Sequence, residues 1–159
     1  MTKSYDSRRI YKSGSIILKG VMSIRTPKNV RFECQRCARC CGDTPHRGRI
    51  IYLLESEVKR ISKKTGLRPL EFSSPISGLG NFKYKMKKRN GICIFLKNKA
   101  CQIYDVRPAV CRLYPFLVSK NNGSLTFEIS EDCPGIGLGT CLTDDHFKSM
   151  AEIAKLVLK

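Results

Sequence analysis

Residues 32–41 have the sequence FECQRCARCC, which places four cysteines within eight positions in the pattern C-x2-C-x2-C-C. These are Cys34, Cys37, Cys40 and Cys41, and five more follow along the chain: Cys93, Cys101, Cys111, Cys133 and Cys141. A C-x2-C turn directs two sulfur atoms toward one centre. The spacing therefore predicts a site at which cysteine thiolates bind a metal ion or an iron–sulfur cluster.

The rest of the composition favours reduced thiols over disulfides. A chain of 159 residues buries roughly 70% of its unfolded surface, so it does not need disulfides to fold. The N-terminal residues are polar, unlike a secretory signal, and apolar runs such as 50–54 are far too short to span a membrane. We therefore expect a cytoplasmic protein with no membrane partner, in which the thiols stay reduced. The odd number of cysteines, nine, also fits poorly with a closed disulfide framework.

The net charge of +17 is unevenly distributed. Residues 1–31 hold eight basic side chains and one acidic one, and residues 83–89 hold five basic side chains in seven positions. Residues 124–159 hold six acidic side chains and three basic ones. The basic part predicts a face that contacts nucleic acid or an acidic protein, with a solvated basic surface as the alternative. No known nucleic-acid-binding motif accompanies the charge.

The pattern of apolar residues predicts a small single α+β domain, with short strands and two or more helices around the cysteine-rich site. One helix is expected over about 56–65, and an amphipathic C-terminal helix over about 144–158. Residues 1–30 are expected to form a basic N-terminal arm or an added strand. Residues 31–159 are expected to form the cysteine-rich metal-binding domain.

Turn-forming residues separate several predicted strands. Asn90-Gly91 is typical of a hairpin turn. Residues 66–82 are rich in Gly, Pro and Ser and are predicted to be a loop. The expected strands are 15–18, 49–53, 92–96, 102–104 and 125–129.

The spacing also suggests how the cysteines divide between centres. One loop with three cysteines at x2 spacing can hold three corners of a [4Fe–4S] cluster, and the fourth ligand is often followed by proline, as Cys133 is by Pro134. One predicted ligand set is therefore Cys34, Cys37, Cys40 and Cys133, and the second is Cys41, Cys93, Cys101 and Cys111. A single centre with spare buried cysteines is the alternative.

Zinc also accepts four thiolates, in a tetrahedron. An all-cysteine zinc site usually has two C-x2-C turns, whereas seven residues separate Cys93 from Cys101. This favours an iron–sulfur cluster, of the [4Fe–4S] type, as the cofactor and leaves Zn2+ as the alternative. His46 is a further candidate zinc ligand, and Cys141 is predicted to be a spare thiol.

Three longer motifs carry a family resemblance. They are Phe32-x-Cys34-x2-Cys37-x2-Cys40-Cys41, Cys101-x-Ile103-Tyr104-x2-Arg107-Pro108-x2-Cys111-Arg112-x-Tyr114-Pro115-Phe116, and Cys133-Pro134-Gly135-x-Gly137. Together, from about Phe32 to Gly139, they resemble the YkgJ-type CxxCxxCC family of zinc- or iron-chelating proteins. The resemblance implies a cysteine-bound metal or cluster and, for most members, no assigned activity. The flagellin lysine methylase is a larger relative by motif, which implies a protein methylase-like activity as a lower-ranked alternative.

Two classes of function follow. The first is a redox protein that carries an iron–sulfur cluster, or an accessory component of a modifying enzyme. The second is a structural zinc module whose basic face binds RNA, the ribosome or an acidic protein. Because no nucleophile–base pair stands out, the sequence leaves open whether the protein is an enzyme.

Two further motifs have structural interpretations. The GxGxG string at 135–139 is a weak signal for a methyl donor and is expected to be a turn that packs close to the metal loop. Arg107 and Arg112 are predicted to donate hydrogen bonds to thiolate sulfurs or loop carbonyls.

Overall fold

The computed structural model describes residues 13–17 and 23–158. Within them, four α-helices and thirteen short strands form a small α+β fold, which confirms the fold class expected from the sequence. The helices are α1 (Glu55–Thr65), α2 (Pro69–Phe72), α3 (Ala109–Leu113) and α4 (Asp144–Val157), and a 3₁₀-helix covers Tyr104–Val106. The strands are β1 (Ser13–Ile17), β2 (Ser23–Pro27), β3 (Arg31–Phe32), β4 (Tyr52–Leu54), β5 (Ser73–Pro75), β6 (Phe82–Met86), β7 (Lys88–Arg89), β8 (Ile92–Cys93), β9 (Leu96–Lys97), β10 (Ala100–Cys101), β11 (Phe116–Asn121), β12 (Ser124–Ile129) and β13 (Ile136–Cys141).

The first core lies between the four-stranded sheet and α4. The strand order is β1-β2-β12-β11, and β2 runs parallel to β12 while the other neighbours are antiparallel. Alternate residues of β12, Leu125 and Phe127, point into this core. There the rings of Phe127 and Phe147 of α4 are 5.7 Å apart. Cys133 belongs to the same core, which places one buried cysteine at its edge.

The second core lies between α1 and the three-stranded sheet β4-β6-β5. Val58 and Ile61 recur on one face of α1 and are buried, as the helical spacing predicts. Fully burying an aliphatic or aromatic side chain such as Leu53 or Phe72 contributes about 1.5–3 kcal/mol. Cys93 lies in this core. Each core therefore supplies a buried cysteine.

A buried carboxylate connects α1 to α3. Glu57 is only 3% exposed, and its carboxylate accepts hydrogen bonds from the backbone N–H of Leu54 at 2.9 Å and of Ala109 at 2.6 Å. Both N–H groups lie where a helix begins and has no intrahelical partner for its first donors. The side chain of Glu57 thus fixes α3 against α1.

The predicted hairpin at Asn90-Gly91 is present. It joins β7 to β8, and both turn residues have positive φ, 50° and 76°. Glycine and asparagine adopt this left-handed conformation more readily than other residues, which explains why the sequence signal works here.

The region 66–82 differs from the loop predicted by its composition, because α2 and β5 lie within it. Pro69 occupies the first position of α2, where its missing N–H has no cost, and Glu71 accepts the N–H of Arg68 at 2.7 Å. The composition signal failed because a four-residue helix needs no apolar period.

Three predicted strands also differ. The strand predicted over 49–53 is β4, which covers only Tyr52–Leu54. Residues 92–96 are not one strand, because β8 ends at Cys93 and β9 begins at Leu96. Residues 102–104 are not a strand, because β10 ends at Cys101 and the 3₁₀-helix follows. Elements of two residues are too short for the period-2 pattern to define.

Strands β1 and β2 are the part of the predicted N-terminal arm that the structure describes. They form an antiparallel pair that joins the first sheet through β12. Residues 1–12 and 18–22 lie outside the described residues, so the proposed boundary at residue 30 stays a prediction. In the described part of the chain, no helix is long and apolar enough to cross a membrane.

Candidate metal centre

The cysteine-rich loop from Cys34 to Cys41 has no helix or strand. Two of its residues are left-handed without being glycine, Arg36 with φ 49° and Ala38 with φ 64°. Each such residue costs about 1–2 kcal/mol. The loop is therefore held in a strained conformation.

Two glycines hold the start of this loop against the strand that follows Cys133. The N–H of Glu33 donates to the carbonyl of Gly135 at 3.1 Å. A Cβ on Gly135 would lie 2.3 Å from the Glu33 carbonyl oxygen, and a Cβ on Gly139 would lie 2.6 Å from the Glu33 Cβ. Only glycine permits this approach. The GxGxG string packs against the cysteine loop as expected, but residues 136–139 belong to strand β13 rather than to a turn.

Backbone hydrogen bonds bring Cys41 and Cys93 together. The N–H of Cys93 donates to the Cys41 carbonyl at 2.7 Å, and the N–H of Asp43 donates to the Gly91 carbonyl at 2.9 Å. The Asp43 carboxylate also accepts a hydrogen bond from Lys88 at 2.6 Å. The β7–β8 hairpin is thereby fixed to the end of the cysteine loop.

Cys101 and Cys111 reach the same region from two further elements. Cys101 lies on β10, paired with Leu96 of β9. Cys111 lies on α3, whose first N–H is held by Glu57. Cys41, Cys93, Cys101 and Cys111 are here named the anchored thiols, because each lies on a segment fixed by backbone hydrogen bonds.

The anchored thiols and Cys40 lie within electrostatic reach of one another. Cys41 interacts with Cys93 and Cys111, and Cys101 interacts with Cys40. Burial raises the pKa of Cys93 and of Cys101, and it raises the pKa of Cys111 to about 12. These three thiols are therefore protonated at neutral pH when no metal is bound.

Cys40 and Cys41 form a pair whose sulfur atoms are 3.6 Å apart. The hydrogen bond from Cys41 lowers the pKa of Cys40 to about 6, and the positive charge of Arg49 acts in the same direction. The same hydrogen bond raises the pKa of Cys41 well above its usual range. At neutral pH the pair thus carries one thiolate, with Cys41 as the donor.

Arg49 connects the loop to α3. Its Nε donates to the carbonyl of Cys40 and its Nη2 to that of Val110, both at 3.3 Å. The guanidinium lies 5.7 Å from the centre of the Tyr114 ring. Its charge also offsets part of the rise that burial causes in the pKa of Cys111. Sequence reasoning missed Arg49 because it lies outside every motif; its position shortly after the cysteines was the available signal.

The two arginines predicted from the sequence act differently. Arg107 donates a hydrogen bond to the carbonyl of Tyr104 at 2.8 Å, and its guanidinium lies 3.8 Å from the centre of the Tyr104 ring. It therefore bonds a loop carbonyl rather than a sulfur atom. Arg112 is exposed, and its side chain makes no hydrogen bond to a thiol among the described residues. His46 and Cys141 are also exposed.

Cys34 and Cys37 are exposed on the loop and are here named the loop thiols. Cys133 is buried, and its thiol lies within electrostatic reach of Cys37 and Cys40. Cys40 thus lies between the anchored thiols and Cys133. The structure places the anchored thiols in one region, but it does not bring Cys34 into contact with another thiol among the described residues.

Salt bridges and hydrogen bonds tie the segment before Cys133 to the loop. Arg47 pairs with the Asp132 carboxylate at 2.8 Å, and Arg39 donates to the Asp132 carbonyl at 3.2 Å. Arg47 also donates to the Arg39 carbonyl at 3.4 Å. These contacts cross from the first core to the loop.

The thiol groups are chemically suited to binding a metal, but their positions do not yet form a complete coordination site. In the ranges 13–17 and 23–158, no three side chains of Cys, His, Asp or Glu converge as closely as a bound metal ion requires. The 3.6 Å between Cys40 and Cys41 is nevertheless near the roughly 3.8 Å expected between two sulfurs on one tetrahedral zinc ion. Thiolates are the preferred ligands of zinc and of iron–sulfur clusters.

The five basic residues in 83–89 are not equivalent. Lys88 pairs with Asp43, and Lys87 donates to the carbonyl of Leu70. Those that are exposed and form no ion pair with another described residue are Lys83, Lys85 and Arg89. The predicted basic face thus has three free cations in this segment.

Comparison with known proteins identifies the family. Residues 33–134 match the CxxCxxCC family, described as a "putative zinc- or iron-chelating domain". The match covers more than half of the chain, so the chain belongs to this family. This confirms the resemblance carried by the cysteine motifs.

Two similar proteins come from Methanocaldococcus jannaschii. Uncharacterized protein MJ0661 is 32% identical over 140 residues, which are 82% of this chain and 70% of that protein. Uncharacterized protein MJ0939 is 29% identical over 120 residues, which are 72% of this chain and 40% of that protein. No solved structure matches the chain. The names of these relatives state no activity, so a function has to be argued from the site.

Proposed function

We propose, from this family membership and from the grouping of the thiols, that the protein is a module in which cysteine thiolates hold an iron–sulfur cluster. The observation that carries the proposal is the mutual electrostatic reach of Cys40 and the four anchored thiols. These residues come from four separate segments. Five cysteines gathered in this way would repel one another once ionised, so a fold that brings them together is expected to bind a cationic centre there.

Because one centre takes four thiolates, the anchored thiols would supply one ligand set from rigid segments, and the loop thiols with Cys40 and Cys133 would supply a second. Arg49 would offset the negative charge of a thiolate-bound cluster while it holds the loop carbonyl of Cys40. A bound cluster would supply one-electron transfer, which suits a redox protein or an accessory component of a modifying enzyme.

Metal and sulfide analysis of protein purified without air tests this proposal. We expect iron and acid-labile sulfide in similar amounts, with the broad visible absorption of thiolate-to-iron charge transfer. Zinc without sulfide would overturn the cluster and leave a zinc module. Protein that retains neither metal, and that binds neither after reconstitution, would overturn metal binding altogether.

The second candidate is a zinc module whose basic face binds RNA, the ribosome or an acidic protein. Two observations favour it: the 3.6 Å separation of the Cys40 and Cys41 sulfurs, and the free cations of the β6–β7 segment, Lys83, Lys85 and Arg89. RNA binding should then weaken with salt, because each neutralised phosphate releases a counterion.

Charge-removal variants test this second candidate. Changing Lys83, Lys85 and Arg89 to Gln should lower the salt slope of RNA binding by roughly three, at unchanged metal content. The matched control changes Lys63, Lys97 and Lys120, which are exposed elsewhere. Equal losses in both variants would contradict a defined face, and no binding at low salt would remove nucleic acid as the partner.

A further inference from the structure

Two large apolar side chains are exposed next to the end of the cysteine loop. Ile50 is 50% exposed and Ile92 is 45% exposed. Each directly follows a residue that is hydrogen-bonded to Asp43. The N–H of Arg49 donates to the Asp43 carboxylate at 2.6 Å, and the Gly91 carbonyl accepts the N–H of Asp43 at 2.9 Å. Both isoleucines therefore lie beside Asp43, and together they are here named the isoleucine patch.

The isoleucine patch borders two of the anchored thiols. Ile92 precedes Cys93 in β8, and its backbone forms a bridge to that of Gly42, the residue after Cys41. A Cβ placed on Gly42 would lie 3.5 Å from the Cγ1 of Ile92, so the Ile92 side chain lies against the end of the loop. A protein that covered Ile92 would therefore contact residues that directly adjoin two candidate ligands.

Free cations flank both isoleucines. Arg89 is the register partner of Ile92 in the β7–β8 hairpin. Lys85 is the register partner of Tyr52, which lies two residues after Ile50. Arg89 and Lys85 are exposed and form no ion pair with another residue in the part of the chain that the structure describes. The patch thus has an apolar centre with positive charge beside it.

The chemistry of this surface fits an acidic protein better than a nucleic acid. The carboxylate at the patch, that of Asp43, is paired with Lys88 at 2.6 Å, and the whole chain carries a net charge of +17. Positive charge of this kind steers an acidic partner to the surface. An apolar centre with a polar rim is typical of protein–protein interfaces. Single-stranded nucleic acids instead stack their bases on aromatic rings, which two isoleucines do not offer.

We propose that the isoleucine patch is the docking site of an acidic protein that carries single electrons to the thiolate-bound cluster. The inference rests on the proposed function and names the class of partner for it. Electron-transfer proteins meet through small interfaces, below about 1,200 Å² of buried surface, which a patch of this size suits. One electron passes from the reduced carrier, which is oxidised, to the cluster, which is reduced.

Stopped-flow reduction of the cluster-loaded protein tests the inference, with flavodoxin, an acidic flavoprotein, as the probe. Its anionic hydroquinone gives one electron to the cluster, and the neutral semiquinone that remains is measured. We expect the second-order rate to fall as ionic strength rises. Changing Lys85 and Arg89 to Gln should lower the low-salt rate roughly tenfold. Ile50→Ser, at a position that adjoins no cysteine, should slow the reaction at every ionic strength.

Reduced methyl viologen, a small cation, is the control donor, and its rate should not fall in any of these variants. Changing Lys97 and Lys120 to Gln is the matched control, because it removes the same charge from exposed positions elsewhere. This control should change the flavodoxin rate less than the change at Lys85 and Arg89.

Three results would overturn the inference while leaving the cluster intact. They are a flavodoxin rate that does not depend on salt, equal losses from the two charge-removal variants, and competition by single-stranded RNA for the patch, which would assign it to nucleic acid. A protein that forms no cluster, or whose cluster methyl viologen does not reduce, would overturn the proposed function and, with it, this inference.

Discussion

The anchored thiols and the loop thiols differ in how firmly the fold holds them. The anchored thiols lie on a hairpin, a short strand pair, a helix and the end of the loop, all joined by backbone hydrogen bonds. The loop thiols, Cys34 and Cys37, are exposed beside left-handed Arg36 and Ala38. The fold thus fixes the anchored thiols in place, whereas the loop thiols stay exposed, and we propose that the loop thiols close around a bound metal.

Metal removal should have the largest effect of the changes considered, and it should destabilise the second core more than the first. Structural metal sites contribute on the order of 10 kcal/mol of apparent folding energy. Because the anchored thiols belong to or border the second core, a strong chelator should raise amide hydrogen exchange more in β7–β10 than in β11, β12 and α4. A metal-free protein with unchanged melting temperature and unchanged exchange would contradict a structural role for the metal.

The pH dependence of metal affinity should identify which thiols bind. The hydrogen bond that Cys41 donates to Cys40 raises the pKa of Cys41, and burial raises those of Cys93, Cys101 and Cys111. All four anchored thiols are then protonated at neutral pH and must each release a proton on binding. Affinity should fall as pH falls, by about four powers of ten per pH unit near neutrality.

The number of protons released on metal binding should show whether Cys40 or Cys41 is the ligand. The pKa of Cys40 is about 6, so above that pH it binds as a thiolate already formed. About three protons would then be released instead of four. Calorimetry of zinc binding in buffers of different ionisation enthalpy counts the protons. Release of one proton or none would contradict binding by the anchored thiols.

Gly135→Ala should destabilise the junction of loop and first core. The added Cβ would lie 2.3 Å from the carbonyl oxygen of Glu33, so β13 must move away from the loop. Overpacking of this kind costs about 1–3 kcal/mol, measurable by urea unfolding. Gly48→Ala is the matched control, because nothing lies within 4 Å of its Cβ position, and its effect should stay within about 0.5 kcal/mol. Equal effects of the two substitutions would show that this contact is not formed.

Ala38→Gly should have the smallest effect on stability, and it should stabilise the protein rather than destabilise it. Glycine adopts the left-handed conformation of Ala38 without the penalty of a Cβ, so the folded loop should gain up to about 1 kcal/mol. If the metal imposes the conformation, the gain appears in metal affinity; if the metal-free fold imposes it, the gain appears in unfolding of the metal-free protein. A decrease in both metal affinity and metal-free stability would contradict the view that the backbone at Ala38 is strained.

Local signals predicted the long or sharply marked elements. The helices at 56–65 and 144–158 were predicted within one residue at each end, because each has an apolar stripe and flanking capping residues. The hairpin at Asn90-Gly91 was predicted from two residues. The one-turn helices α2 and α3 and the strand β3 carry no such signal and were missed, and the strands β9 and β10 were predicted with the wrong bounds.

The candidate site was only partly predictable for a different reason. Cysteine spacing marks the candidate ligands, but it cannot show that Cys93 is hydrogen-bonded to the carbonyl of Cys41. The roles of Arg49 and Glu57 likewise depend on contacts between distant segments, with Val110 and Ala109 of α3. Such contacts follow from packing of the two cores, which no local pattern encodes.

Metal content per protein in a set of single cysteine variants tests the central claim most directly. Each variant is purified without air and analysed for iron, zinc and sulfide beside the wild type. The account predicts that Cys93→Ser and Cys111→Ser lose most of the metal, that Cys34→Ser loses less, and that the exposed Cys141→Ser keeps the full amount. Full metal content in Cys111→Ser, or a loss in Cys141→Ser as large as in Cys93→Ser, would contradict it.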